Sequence, residues 1–317
     1  MPYVVSPAHI RLHRRWFLVA GGAALAAPAL GRPVLAEATE AHRFTLGEVE
    51  VLVLSDGHLT LPASILAPSA PPEEFAALMT EMHGAVPETV TPAANVVLIR
   101  SGDDLVLVDN GSGNKFQPTV GKLAENLAAA GVDPAAVTRV VFTHAHPDHV
   151  WGTLRDDGSL AFPNAGYYVG RAEWDFWTDP DLPAQMPEDL RPFALGAQRD
   201  LGAVKERVTL LKGGDAVVPG ISVIDTPGHT PGHLSVLVEG GEGLIVGADV
   251  AHNEVVSLRH PDWAFGFDAD PEQAIATRKA LLDRAATDGT LYLGFHFTYP
   301  GVGRVERDGG AFRFVAT

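Results

Sequence analysis

The chain has 317 residues, 46% of them hydrophobic, which is enough to bury the core of one large domain. Its 39 acidic and 23 basic side chains give a formal net charge of -16, a balance that repels nucleic acid and anionic membrane surfaces. There is no cysteine, so disulfides and thiolate metal sites are excluded and any metal must be held by His, Asp or Glu.

The first 36 residues read as an export leader. Arg14-Arg15 is followed by Trp16-Phe17-Leu18 and an uncharged stretch that runs to Gly31. Val34-Leu35-Ala36 then supplies the small-residue exit that a signal peptidase reads. The pair of arginines and the apolar run resemble a twin-arginine signal, which implies export of a folded protein to the periplasm or beyond. Cleavage after residue 36 would leave 37–317 with no stable membrane anchor. The leader carries four Arg and no acid, so the remainder is more acidic than the whole.

From residue 44 onward short β runs alternate with helices. Residues 49–54, 95–100 and 105–108 are rich in Val, Leu and Ile and read as strands. Between the first two, 67–72 holds Pro68, Pro71 and Pro72 and reads as a loop within one domain. Pro118 opens a helix expected to run to Ala130, with Gly131 closing it. Residues 139–142 form a strand that ends on a histidine cluster, and 167–169 form another. Two helices are expected within 171–206, then strands at 208–211, 221–224, 234–238 and 243–246. Asp270-Pro271-Glu272-Gln273 is a helix start, with Asp270 as cap and Gln273 placed to complete a capping box. That helix is expected to reach Ala286, followed by strands at 291–294 and 312–315.

Thr143-His144-Ala145-His146-Pro147-Asp148-His149 carries the most chemistry. Alternation along an extended segment puts His144 and His146 on one side. After Pro147 the chain must turn, so Asp148 and His149 can face a second position. Four metal-competent side chains in six residues would be costly to bury without a cation, and imidazole with carboxylate suits zinc or a similar divalent ion. His229, Asp249 and His296 taken singly would more often be structural than ligands, and Asp109 alone could be a turn residue before Gly111. His58 and His83 belong to no pattern.

These motifs together resemble the metallo-β-lactamase superfamily over nearly all of 37–317. Leu107-Val108-Asp109-Asn110-Gly111 is similar to its first motif, with Asn110 where Thr is more usual. The stretch 226–233, Thr-Pro-Gly-His-Thr-Pro-Gly-His, is similar to the third. Gly247-Ala248-Asp249 resembles the fourth, with Ala248 inserted between residues that are normally adjacent. Gly294-Phe295-His296 resembles the fifth. The resemblance implies an α/β fold, a four-layer αβ/βα sandwich, with two divalent ions, zinc being expected. His144, His146 and His229 would hold one ion; Asp148, His149 and His296 the other; Asp249 would bridge. His233 competes with His229 for the ligand role, and His252 and His260 are expected to lie outside the ligand set. Asp109 would hold the histidine cluster in place.

Within the superfamily the nearer resemblance is to the methyl parathion hydrolase and lactonase-like group. It is carried by 111–119, 162–165, 173–177 and 299–303. It implies an apolar substrate pocket lined by Phe116, Trp177 and Phe193, and a homodimer. It also implies that 61–90 covers the site or forms the dimer contact. The expected function is dinuclear-metal hydrolysis of a small uncharged ester by a metal-bridging hydroxide, the ions lying about 3.5–4 Å apart. The ester is a lactone or carboxylic ester, or an organophosphate triester. A nucleic-acid-processing member is disfavoured by the acidic charge, and a non-catalytic metal-binding protein by the complete ligand set.

Overall fold

The computed structural model describes residues 41–317. The expected leader lies outside the described residues. Among those residues no helix is long and apolar enough to cross a membrane.

The strands of the first half are β1 (His42–Leu46), β2 (Val49–His58), the short pair β3 (Leu61–Pro62) and β4 (Thr89–Val90), β5 (Ala93–Ser101), β6 (Asp104–Val108), β7 (Arg139–Phe142), β8 (Gly166–Gly170) and β9 (Val208–Leu211). Those of the second half are β10 (Ala216–Val218), β11 (Ile221–Asp225), β12 (Leu234–Val238), β13 (Leu244–Ala248), β14 (Leu291–Gly294), β15 (Val302–Asp308) and β16 (Ala311–Ala316). Two seven-stranded sheets result, in the orders β1-β2-β5-β6-β7-β8-β9 and β10-β11-β12-β13-β14-β15-β16.

Side chains that alternate along each strand sort into layers. Val51, Val53, Val106 and Val108 point inward and meet Val223, Val236, Val246 and Leu293 of the other sheet. Their neighbours Leu52, Leu54, Leu105 and Leu107 point outward, under helices α1 (Pro72–His83), α2 (Leu123–Ala129) and α6 (Arg191–Val204). On the opposite outer face Ile245 and Tyr292 pack beneath Leu281, Leu282 and Ala285 of α8 (Pro271–Asp288). Helix, sheet, sheet and helix are the expected four layers.

The helix expected from Pro118 starts later, at Leu123. Val120 instead bridges Gly57, and Asp56 Oδ1 accepts the Leu123 amide at 2.9 Å. The carboxylate that caps this helix thus comes from a strand 67 residues away. Asp270 caps α8 as expected, accepting from the Gln273 amide at 3.0 Å. Gln273 does not complete a capping box, because its side chain turns along the helix to Thr277. Segment 61–90 folds over the site side of the molecule. Leu66, Leu78 and Met79 are buried there, Phe75 lies 6.4 Å from Trp263, and Gly266 donates to Ile65 O at 2.8 Å.

Strands β6, β7, β8 and β9 run parallel, as do β13 and β14. Their carboxyl ends therefore gather along one edge of the sandwich. Two backbone bonds tie the sheets there: Leu234 N donates to Thr143 O and Asn95 N to Phe295 O, each at 2.9 Å.

Leu293 is fully buried between the sheets. Leu293→Ala is expected to destabilise the fold by about 2–5 kcal/mol through lost burial and the cavity left behind. Denaturant unfolding followed by circular dichroism measures this.

Candidate metal centre

The seven expected ligands converge at the gathered strand ends. β7 leads into Thr143, His144 and His146. His146 is still extended (φ -69, ψ 160), and Pro147 starts the short helix α3 (Pro147–Val150), which turns Asp148 and His149 toward a second position. The loop after β11 brings His229, the end of β13 brings Asp249, and the end of β14 brings His296.

They form two groups. His144, His146, His229 and Asp249 each offer an atom within 4.8 Å of the others, and so do Asp148, His149 and His296. Asp249 joins the groups. Its Oδ2 lies 3.4 Å from His229 Nε2, 3.8 Å from His144 Nε2 and 3.3 Å from His296 Nε2, and its Oδ1 lies 3.3 Å from His149 Nε2. Asp148 Oδ2 is 3.5 Å from His149 Nε2 and 3.4 Å from His296 Nε2. His146 Nδ1 and His229 Nε2 are 3.0 Å apart.

These residues fit divalent ions. Two ligands roughly 2.0–2.2 Å from a tetrahedral ion stand roughly 3.3–3.6 Å apart, which is the spacing of most pairs above. His144 Nε2, His149 Nε2, Asp148 Oδ2 and Asp249 Oδ1 are buried without a hydrogen bond. Leaving four such atoms unsatisfied is costly, and a cation is the partner this donor set suits.

Electrostatics agree with that reading. Burial, reinforced by neighbouring imidazoles, holds His144 and His146 well below the usual histidine range, so both keep a free lone pair at neutral pH. Burial works against a charge on His149, yet Asp249, Asp148 and Asp109 outweigh it and raise the pKa well above normal. Burial likewise opposes charge on Asp249, but His296 and His149 hold that carboxyl well below the usual range. The carboxylates thus create a field that favours positive charge in the second group.

Outer partners fix the ring orientations. Asp109 Oδ1 accepts from Thr143 N, and its Oδ2 meets Thr143 Oγ1 and His149 Nδ1, all at 2.8 Å. Asp109 therefore contacts the His149 ring directly. The Asn110 side chain pairs with Thr153 Oγ1 at 2.9 Å, and its backbone N–H donates to His149 O at 2.9 Å. His296 Nδ1 lies 2.8 Å from Ala93 O. Asp268 Oδ1 lies 3.1 Å from His229 Nδ1, while its Oδ2 accepts from Phe265 N and from buried Arg278.

The residue inserted before Asp249 is absorbed locally. Ala248 takes φ +47 and the β13–β14 register shifts beside it. Asp109, at φ +61, and Ala248 are the two non-glycine residues with positive φ among those described, and both abut the centre.

His233 is not in either group. Its Nδ1 lies 2.8 Å from Thr226 Oγ1 and its Nε2 accepts from the Asp249 amide at 3.2 Å, so both ring nitrogens are used. His252 comes closer than expected. It is buried, stacks on Phe265 at 3.6 Å, and places Nε2 3.5 Å from Asp249 Oδ2 with neither ring nitrogen hydrogen-bonded. His260 stacks on Trp263 at 3.7 Å, and His58 and His83 are exposed.

Of the three expected pocket aromatics, Phe193 lies 6.0 Å from His146 and Phe116 lies 5.9 Å from Phe193. Phe267 extends this wall at 6.3 Å from Phe193. Trp177 differs from the expectation: it is only 1% exposed and packs behind His146 at 5.7 Å rather than lining an open pocket. Burial obliges its indole N–H to find an acceptor, which is Glu173 at 2.6 Å. Asp268, Glu173, Phe265 and Phe267 were not among the residues expected from sequence. The aromatic-rich run 263–267 just before a helix cap was the signal available for the last two.

A family model described as the metallo-β-lactamase superfamily matches residues 89–296. Among solved structures, AidC, a dizinc quorum-quenching lactonase in complex with a homoserine product, is similar with a TM-score of 0.81 and 27% identity, covering 87% of this chain and 97% of that one. AbOPH, a hydrolase in the β-lactamase superfamily, is similar with a TM-score of 0.81 and 29% identity over the same shares, 87% and 97%. Among curated proteins, the N-acyl homoserine lactonase AttM of Agrobacterium fabrum is 33% identical over 139 residues, 40% of this chain and 46% of that protein. An uncharacterized protein of Mycobacterium tuberculosis is 30% identical over 226 residues, 67% of this chain and 88% of its own. The match spans between 39% and 62% of the length of the first three curated relatives.

Asp109→Asn keeps the shape but places an amide where two acceptor oxygens serve Thr143 and His149. It is expected to weaken one bound metal equivalent about 10–100-fold. Titration of metal-free protein with Zn2+ against a chromophoric chelator measures that shift.

Proposed function

Because the chain belongs to the metallo-β-lactamase superfamily and is a metal-dependent hydrolase, we propose that it opens uncharged lactones, N-acyl homoserine lactones first among them, on two zinc ions. The observation that carries this is an aromatic wall standing directly beside a histidine of the first group: Phe193 is 6.0 Å from His146. AidC and AttM, both lactonases by name, support the substrate class.

His144, His146 and His229 would hold one ion, Asp148, His149 and His296 the other, and Asp249 both. Bound there, the ions would supply Lewis acidity, lowering the pKa of a water and polarising the ester oxygen. The chain's own residues do the rest. Asp109 and Asp268 lock the imidazoles of His149 and His229, so no reorganisation is needed during reaction. Phe116, Phe193 and Phe267 offer apolar surface to an acyl chain and exclude bulk water, which strengthens every charge interaction beside them.

A phosphotriester is the second reading, since the same wall accepts aryl and alkyl ester arms. The sequence pattern of 1–36 supports export, and the family resemblance supports a homodimer. Among the described residues the large apolar side chains left exposed are Val86, Leu195 and Val315.

The test is a pH-stat assay of the mature chain loaded with Zn2+, against N-hexanoyl homoserine lactone, an aryl acetate and a dialkyl aryl phosphotriester. Lactone opening is expected, lost on chelation and restored by Zn2+. Cleavage of the phosphotriester without the lactone shifts the reading to the second class, and hydrolysis that survives excess chelator overturns the metal role.

Phe193→Ala should raise KM for long-chain acyl lactones about tenfold while leaving short-chain KM nearly unchanged, as expected from losing about 1–3 kcal/mol of apolar contact. Initial rates across an acyl-length series check this.

A further inference from the structure

Glu173 lies in the first turn of α4 (Arg171–Trp177), directly after β8, and is fully buried. Its carboxylate enters between two loops that carry ligands. Oε1 accepts from Ala145 N at 2.9 Å and from Trp177 Nε1 at 2.6 Å. Oε2 accepts from Thr230 Oγ1 at 2.7 Å and from Gly232 N at 3.0 Å. Ala145 stands between His144 and His146, and Thr230 follows His229 in the chain.

The backbones are in direct contact here. A Cβ on Gly232 would come within 1.9 Å of Glu173 N, and one on Gly170 within 2.6 Å of Gly232 O. The loop after His229 therefore rests on the start of α4, and the Glu173 carboxylate bonds to both loops at this corner, beside the direct contact of His146 Nδ1 with His229 Nε2. The four donors are all neutral. A buried carboxylate normally needs a cation or several hydrogen bonds, and three of the four bonds here come from the 144–146 and 229–232 loops, the fourth from Trp177 of its own helix.

We infer, on the reading of the two clusters as metal sites, that Glu173 is a positioning residue that sets the spacing of His144 and His146 against His229, and with it the affinity of the first metal. The second group hangs on other partners. His149 is held by Asp109 and His296 by Ala93 O, and neither touches Glu173.

Substitution by Gln separates this role from general support. Ala145 N and Trp177 Nε1 can only donate, so the amide oxygen must turn toward them. The amide NH2 then faces Thr230 and Gly232. The Thr230 hydroxyl can rotate to accept, but Gly232 N loses its acceptor. Glu173→Gln should therefore loosen the His229 loop and leave the 144–146 loop in place.

The experiment titrates metal-free wild type, Glu173→Gln, Thr230→Val and His229→Ala with Zn2+ in competition with a chromophoric chelator, and follows the fold by circular dichroism. Wild type is expected to take up two equivalents. Glu173→Gln should weaken one of them about 10–100-fold, the range typical of an outer-shell partner. Thr230→Val, which removes a single donor, should weaken the same equivalent by less. In the His229→Ala background, where the first site is already lost, Glu173→Gln should change the remaining affinity little.

Two unchanged equivalents in Glu173→Gln would overturn the inference and leave the metal centre standing. Equal weakening of both equivalents would overturn it too, marking Glu173 as support for the fold at large. If Glu173→Gln fails to fold, Thr230→Val decides: an effect on neither equivalent, or on both alike, overturns the inference. Fewer than two equivalents in wild type would overturn the reading of the centre and this inference with it.

Discussion

Five imidazoles crowd one buried carboxylate. His144, His149, His229, His252 and His296 each place a ring nitrogen 3.3–3.8 Å from an oxygen of Asp249. Hydrogen bonds between them do not satisfy this set, because atoms such as His144 Nε2 and Asp249 Oδ1 remain unpaired. Cations shared through the Asp249 carboxylate meet the constraint, and the surrounding architecture can be read as what holds such a cluster in register.

The sheets provide the frame. Parallel strands end together, so residues far apart in sequence arrive at one edge without long excursions. Local backbone then sets the final aim. Asp109 and Ala248 take positive φ, at +61 and +47, where side chains must leave the strand toward the site. Gly228 approaches α8 so closely that a Cβ would lie 2.3 Å from Ala274 N, which seats the His229 loop against that helix. The outer carboxylates Asp109, Asp268 and Glu173 complete the frame by tying the imidazoles or their loops from behind. Strain and buried charge concentrate here because the sandwich core, built from Val and Leu, is rigid enough to sustain them.

What the sequence revealed follows the range of each interaction. The 143–149 stretch was legible because its geometry is local: strand, proline, one turn of helix. The strand positions were legible from runs of Val, Leu and Ile, and α8 from its Asp-Pro start. Asp109, His229, Asp249 and His296 became readable only as an ordered set. Asp56, Asp268 and Glu173 were not legible. Each belongs to no recognisable motif, and the partner that gives it its place is distant in the chain: Leu123 is 67 residues from Asp56, His229 39 from Asp268, and Ala145 28 from Glu173. For the same reason the start of α2 was misplaced: its cap comes from another strand. Trp177 looked like a pocket wall because an aromatic beside ligands can face either way, and only the position of Glu173 settles which way its indole N–H points.

The central claim is that two ions share Asp249 at the strand ends. Crystals grown with Zn2+, with diffraction recorded on either side of the zinc absorption edge, test it most directly. The account predicts two anomalous peaks, one among His144, His146 and His229 and one among Asp148, His149 and His296, with Asp249 touching both. A single peak, or peaks that Asp249 does not join, would contradict it.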